Sequence, residues 1–101
     1  MNLPIIKSKE TGVIKISIKR AGSDIILLYR LTKEYAEDEL TRFQYTLTVT
    51  KVDHGGSRRE IKRLPDISRS RTEAERLFDI ISRACVMPGT ADEVVSDLIS
   101  I

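Results

Sequence analysis

A chain of 101 residues, 41% hydrophobic and 32% charged, has the size and composition of one soluble domain with a single modest core. Its formal charge of +2 is too small to argue by itself for nucleic acid, and no apolar run approaches the roughly 20 residues of a membrane helix. The N-terminal "MNLPIIKSKE" lacks the basic region, long apolar run and cleavage site of a signal peptide, so a cytoplasmic protein without a membrane association is expected.

Residues 1–12 are expected to be loose or to add a short edge strand, because Pro4 and the charged "KSKE" do not suit a central strand. The meander is expected over 13–64. Ile14, Ile16 and Ile18 alternate with Lys15, Ser17 and Lys19, the pattern of a half-buried strand. "IILLYRLTKEY" follows as a second strand. Gly22-Ser23 between them fits a type II′ hairpin turn, with glycine first. That turn sets Ile18 opposite Leu27, Ile16 opposite Tyr29 and Ile14 opposite Leu31, an apolar face throughout.

"AEDEL" is an acidic, solvent-exposed link to the third strand, "RFQYTLTVT", which puts Phe43, Tyr45, Leu47 and Val49 on one face. A five-residue loop there sets Tyr45 across from Leu31 and Leu47 across from Tyr29. The stretch "VDHGGSRRE" then turns into a fourth strand. A two-residue turn at Gly55-Gly56 would pair Ile61 with Thr50 on the polar face. A three-residue loop, His54 to Gly56, or a five-residue loop, pairs Ile61 with Val49 on the apolar face and is preferred. Leu64 then has the wrong parity, so the strand ends or bulges near Arg63, and Pro65 supports an ending.

The last third, 70–100, turns helical. Ser70 with Glu73 forms a capping box, followed by Ala74, Leu77, Phe78, Ile81 and Ala84 at helical spacing. Met87-Pro88-Gly89 stops that helix. Thr90 with Glu93 forms a second box, ahead of Val94, Val95, Leu98 and Ile99. The expected fold is α+β: one domain over 1–101, a four-stranded antiparallel β-meander followed by two C-terminal helices packed on one face.

Few residues invite a chemical reading. His54 at a hairpin tip, with no second histidine or cysteine near it in sequence, reads as a solvated turn residue rather than a base or a metal ligand. The glycine pair is flanked by strands on both sides, whereas phosphate loops lead from a strand into a helix. Glu34, Glu37, Asp38 and Glu39 lack calcium-loop spacing. The lone Cys85 can form no internal disulfide and reads as a small apolar residue near a helix end. No catalytic, cofactor-binding or metal-binding residue is nominated, and no small-molecule ligand is indicated.

Charge asymmetry carries more. Arg58, Arg59, Lys62, Arg63, Arg69 and Arg71 crowd one segment, and acidic residues dominate from Thr72 onward. The basic run reads either as a charged edge strand, which discourages aggregation, or as an interaction patch for phosphates or an acidic protein. Tyr29, Phe43 and Tyr45 share the core parity. The other face is then left with Lys15, Lys19, Arg30, Lys62 and a threonine row, without the aromatics that base stacking needs.

From Asp66 to Leu98, "D-I-S" ending a strand, a helix, "V-x-P" and "D-E-V-V-x-D-x-L" resemble the domain of unknown function 6514 family, small bacterial proteins of clostridial type. The resemblance covers roughly 25–100 and implies a cytoplasmic bacterial protein with strands followed by helices. It brings no activity, cofactor or site residue. The expected function is a non-enzymatic protein-interaction module, whose uneven charge would also suit a homodimer. The alternative is nucleic-acid binding through the basic 58–71 segment.

Overall fold

The computed structural model describes residues 11–35 and 42–99. The expected loop "AEDEL", with Glu37, Asp38 and Glu39, lies outside the described residues, as does most of the 1–12 segment. Four strands, β1 (Gly12–Arg20), β2 (Ile26–Tyr35), β3 (Phe43–Asp53) and β4 (Arg58–Ser68), form one antiparallel sheet in the order β1-β2-β3-β4. Two helices follow, α1 (Arg71–Arg83) and α2 (Pro88–Ile99). Both helices cover the same side of the sheet, which is the α+β meander that the hydrophobic pattern calls for.

The central pair, β2 and β3, orients everything else. Leu27, Tyr29 and Leu31 face the helices beside Leu47 and Val49, all fully buried. The pairing is Leu31 with Leu47 and Tyr29 with Val49, two residues away from the expected register. A shift of two preserves parity, so the apolar face survives it. Leu77, Phe78 and Ile81 of α1 and Ala91 and Val95 of α2 close the core from above.

Both outer hairpins differ from expectation by one residue, and a shift of one reverses a strand. Gly22 does not adopt the positive φ that a type II′ turn requires. Ala21 instead donates its N–H to the Ile25 carbonyl at 2.9 Å, closing a longer loop. Ile18 therefore pairs with Leu28, and Lys19 with Leu27. Ile16 and Ile18 point away from the helices, 56% and 67% exposed, and Lys15, Ser17 and Lys19 take the helix side. A bulge between Val13 and Lys15 lets Ile14 still pack against the core.

At the other edge Asp53 pairs with Arg58, which leaves His54 to Ser57 as the loop. Gly55 and Gly56 both adopt positive φ, 66° and 97°, where a side chain would be strained. Thr50 then faces Ile61, and Leu64 lies beside Leu47 in the core. Ile61 and Leu64 are three residues apart, so a regular strand buries only one of them, and the four-residue loop, with the Ile61–Thr50 pairing of a two-residue turn, selects Leu64. The strand does not stop at Pro65. It bulges through Pro65 to Ile67, with Asp66 at φ 55°; Ile67 is buried in the core and Ser68 pairs again with Tyr45.

Ser70 caps α1, accepting the Glu73 N–H at 3.3 Å. The reciprocal half of the box is replaced: the Ser70 N–H donates to Ser68 Oγ, and the Glu73 carboxylate accepts from Arg76. That partnership holds the Glu73 carboxyl below its ordinary pKa. Ala84 is the exposed C-cap rather than part of the buried stripe. Helix α2 begins at Pro88 instead of after Thr90, because proline suits a first turn whose N–H groups lack helical partners. The buried Pro88 closes the core, and Ile99, expected in the stripe, is exposed.

Charged residues complete the edges. Lys15 binds Asp79 of α1 at 2.9 Å, and Lys62 reaches Asp92 of α2 at 3.6 Å. The Lys15 ammonium also lies 5.5 Å from the centre of the Phe78 ring. Each edge strand is thus tied to one helix by a lysine.

Tyr29 links the sheet to the turn between the helices, donating its hydroxyl to the Val86 carbonyl at 2.9 Å. Burial, with a smaller effect from the Cys85 thiol, pushes its pKa up to about 12. Cys85 itself takes a left-handed conformation, φ 53°, after the last turn of α1 and packs against the core.

Two predictions test this arrangement. Leu64→Ala should cost about 2–4 kcal/mol of unfolding free energy in urea, and Ile61→Thr less than about 0.5 kcal/mol, the reverse of the order that a three- or five-residue hairpin loop implies. Between pH 10 and pH 12 the unfolded chain releases the Tyr29 proton while the folded protein keeps it, so stability falls as pH rises through that window and is unaffected by this group below it. Tyr29→Phe should lose about 1 kcal/mol at neutral pH, the hydrogen bond to Val86, and show a shallower alkaline decline in the urea midpoint.

Candidate interaction surface

Alternation along the four strands builds the side of the sheet turned away from the helices. Three cross-strand rows follow from the pairing. The middle row runs Ile18, Leu28, Thr50, Ile61 and is aliphatic apart from one threonine. On one side lies Arg20, Ile26, Val52, Arg59, and on the other Ile16, Arg30, Thr48, Arg63. Ile61 is 57% exposed and Ile26 39%, so with Ile16 and Ile18 the aliphatic surface is continuous and open. Single exposed isoleucines are ordinary; a contiguous group on one sheet face is not.

Arginine frames this surface. Arg20, Arg30 and Arg59 have no carboxylate partner among the described residues. Arg63 pairs with Glu34, whose Oε1 also accepts from Thr46 Oγ1 at 3.0 Å and Gln44 Nε2 at 3.4 Å. The Glu34 cluster covers Thr46 and Gln44, both buried, and marks the polar end of the face. The opposite end, near the two hairpins, is aliphatic and basic.

The six basic residues singled out in the sequence do not all fall here. Arg59 and Arg63 lie on the open face. Arg58 and Lys62 have the opposite parity, and Lys62 is engaged with Asp92. Arg69 is exposed between β4 and α1. Arg71 binds Glu75 one helical turn away at 2.7 Å, which raises its pKa. Of the four basic residues expected on the face opposite the core, only Arg30 is there; Lys15, Lys19 and Lys62 face the helix side because both edge strands are reversed. The threonine row, Thr48 and Thr50, lies on the open face as expected.

Arg20, Ile16 and Ile18 on β1, and Arg59, Ile61 and Arg63 on β4, are residues that sequence reasoning did not place on this surface. The signal for the first three was the length of "AGSDI", which can close either a two- or a three-residue loop, and for the others it was the position of Leu64. Two other depressions are polar and shallow. One, about 440 Å³, is lined by Asp92, Glu93, Ser96 and Asp97 on α2. The other, about 100 Å³, lies beside the β3–β4 hairpin among Lys51, Asp53, Arg58, Arg59 and Glu60. Among the described residues, no group of three or more His, Cys, Asp or Glu side chains could hold a metal ion, and no helix is long and apolar enough to cross a membrane.

Neither a curated protein nor a solved structure matches the chain. A family model does, over residues 9–101, and that match takes in every strand and both helices described above. The chain belongs to the family of unknown function DUF6514.

Proposed function

We propose that this chain is a non-enzymatic protein-interaction module of the bacterial cytoplasm that docks a partner protein on the open face of its sheet. One observation carries the reading: Ile16, Ile18 and Ile61 stand in solvent on a single face, contiguous with Ile26, Leu28 and Val52. Burying a side chain of that size is worth about 1.5–3 kcal/mol. Both edge strands forgo that gain on folding, in favour of lysines on the helix side. An exposed aliphatic face of this kind suits the centre of an interface, and its arginine border suits the rim. The bacterial, cytoplasmic setting is supported by the family resemblance and by a single cysteine left as a free thiol.

A second reading is nucleic-acid binding. It is favoured by Arg20, Arg30, Arg59 and Arg63 on one face, since arginine grips phosphates bidentately. The isoleucines between them weigh against it, because they offer neither stacking nor hydrogen bonds to bases. Self-association through the same face is disfavoured, because a second copy would bring arginine rows against arginine rows.

A photo-crosslinking side chain at position 18, compared with one at position 75 on α1, tests the proposal in a bacterial lysate. Discrete protein adducts at 18 that disappear with Ile61→Asp, and that are absent at 75, are the expected result. Adducts at 18 that nuclease removes would favour nucleic acid, and adducts of equal yield at both positions would remove the assignment to this face.

A further inference from the structure

We infer that the open face is built to receive an acidic amphipathic helix, an aliphatic stripe with carboxylates along both flanks. This rests on the interaction reading above and adds the chemistry of the partner. The middle row, Ile18, Leu28, Thr50 and Ile61, crosses all four strands. At about 4.8 Å between strands it is roughly 14 Å long, close to ten residues of helix. The rows bearing arginine lie two residues away on either side, about 7 Å each, so they stand roughly 14 Å apart. A helix of 10–12 Å diameter fits between them and presents its flanks to both rows. An extended segment seated on the middle row is too narrow to reach both.

Charge decides the sign of those flanks. Arg20 and Arg59 border one side, Arg30 and Arg63 the other; the three rows contain no carboxylate, and Glu34 beside them is already shared among Arg63, Thr46 and Gln44. A helix with basic flanks would meet like charge on both sides, and a neutral one would leave the Arg20, Arg30 and Arg59 guanidinium groups desolvated without a carboxylate among the described residues. Carboxylate flanks meet them with charge-assisted hydrogen bonds. The chain's own α2 carries exposed Asp92, Glu93 and Asp97, but its aliphatic side, Ala91 and Val95, is committed to the core. A second copy therefore offers carboxylates without the stripe, and the occupant is a different protein.

Binding of two peptides to the full chain, followed by fluorescence anisotropy, tests this. One is a helical peptide of about five turns with a leucine stripe flanked on both sides by glutamate; the other replaces every glutamate with lysine. The glutamate peptide should bind at least about tenfold more tightly than the lysine peptide, and more weakly as salt rises. Ile18→Thr with Ile61→Thr, and separately Arg20→Gln with Arg59→Gln, should each weaken it by about tenfold or more, with urea midpoints near the parent's. Glu75→Gln on the helix side should leave binding unchanged. Equal binding of the two peptides, or no binding of the glutamate peptide at about 100 µM, overturns the inference. So does a stronger association with phosphatidylglycerol-containing vesicles or single-stranded RNA, or concentration-dependent growth in mass by sedimentation. If position 18 still yields protein adducts while the glutamate peptide fails, only the partner chemistry falls; if no protein adduct forms, the interaction reading falls with it.

Discussion

The pairing of β2 with β3 is the constraint from which the rest of the molecule hangs. These are the two strands with neighbours on both sides. Between them they place Leu27, Tyr29, Leu31, Leu47 and Val49 on one face with no exposure at all. Once that face is covered by α1 and α2, each outer strand has two choices of parity, and its hairpin loop makes the choice. Side chains alternate with a period of two, so one residue more in a loop sends every side chain of the following strand to the opposite face. The loop at Ala21–Ile25 is one residue longer than a two-residue turn, and the loop at His54–Ser57 has an even number of residues, so each turns its edge strand's isoleucines away from the helices.

The outcome is a sheet whose two faces differ in an unusual way. On the helix side the edges contribute charge, and Lys15 and Lys62 each reach a carboxylate on the helix above. Ion pairs this exposed add little stability, at most about 1 kcal/mol each. Their value is in orientation, since each ties a different helix to a different edge. On the open side the edges contribute isoleucine, and the two edge rows meet Leu28 and Val52 of the central strands. The aliphatic surface therefore owes its existence to the same two loops that bring the lysines inward. A one-residue deletion in either loop would remove both features together.

Much of this organisation is legible in the residues. Strand formers in the first two thirds, helical spacing in the last third, the Ser70 cap and the inward parity of the central strands all follow from local pattern. The misassigned elements share one cause. Ile16, Ile18 and Ile61 are hydrophobic, and placing hydrophobic residues inward is the correct default wherever a face can be buried. Here the default chose a two-residue turn in the first hairpin and a three- or five-residue loop in the second, and Leu64 was the warning, since a strand with Ile61 inward leaves it on the wrong side. The basic patch suffered from the same step. Arg58 to Arg63 are neighbours in sequence, but alternation sends Arg59 and Arg63 to one face and Arg58 and Lys62 to the other. Arg20 and Arg30, distant in sequence, are the residues that join Arg59 and Arg63.

By itself the sequence determined the fold class, the order of elements and the buried face of the central strands, because periodicity and capping are local properties of the chain. Tertiary structure alone decided which way the edge strands face. Both parities of β1 and β4 are compatible with their own residues, an isoleucine face in one case and a lysine face in the other. The decision falls to loop closure, to the bulges at Val13–Lys15 and Pro65–Ile67, and to the carboxylates of Asp79 and Asp92 waiting on the helices. The lysine–carboxylate pairs join segments far apart in the chain, and no window of sequence contains them.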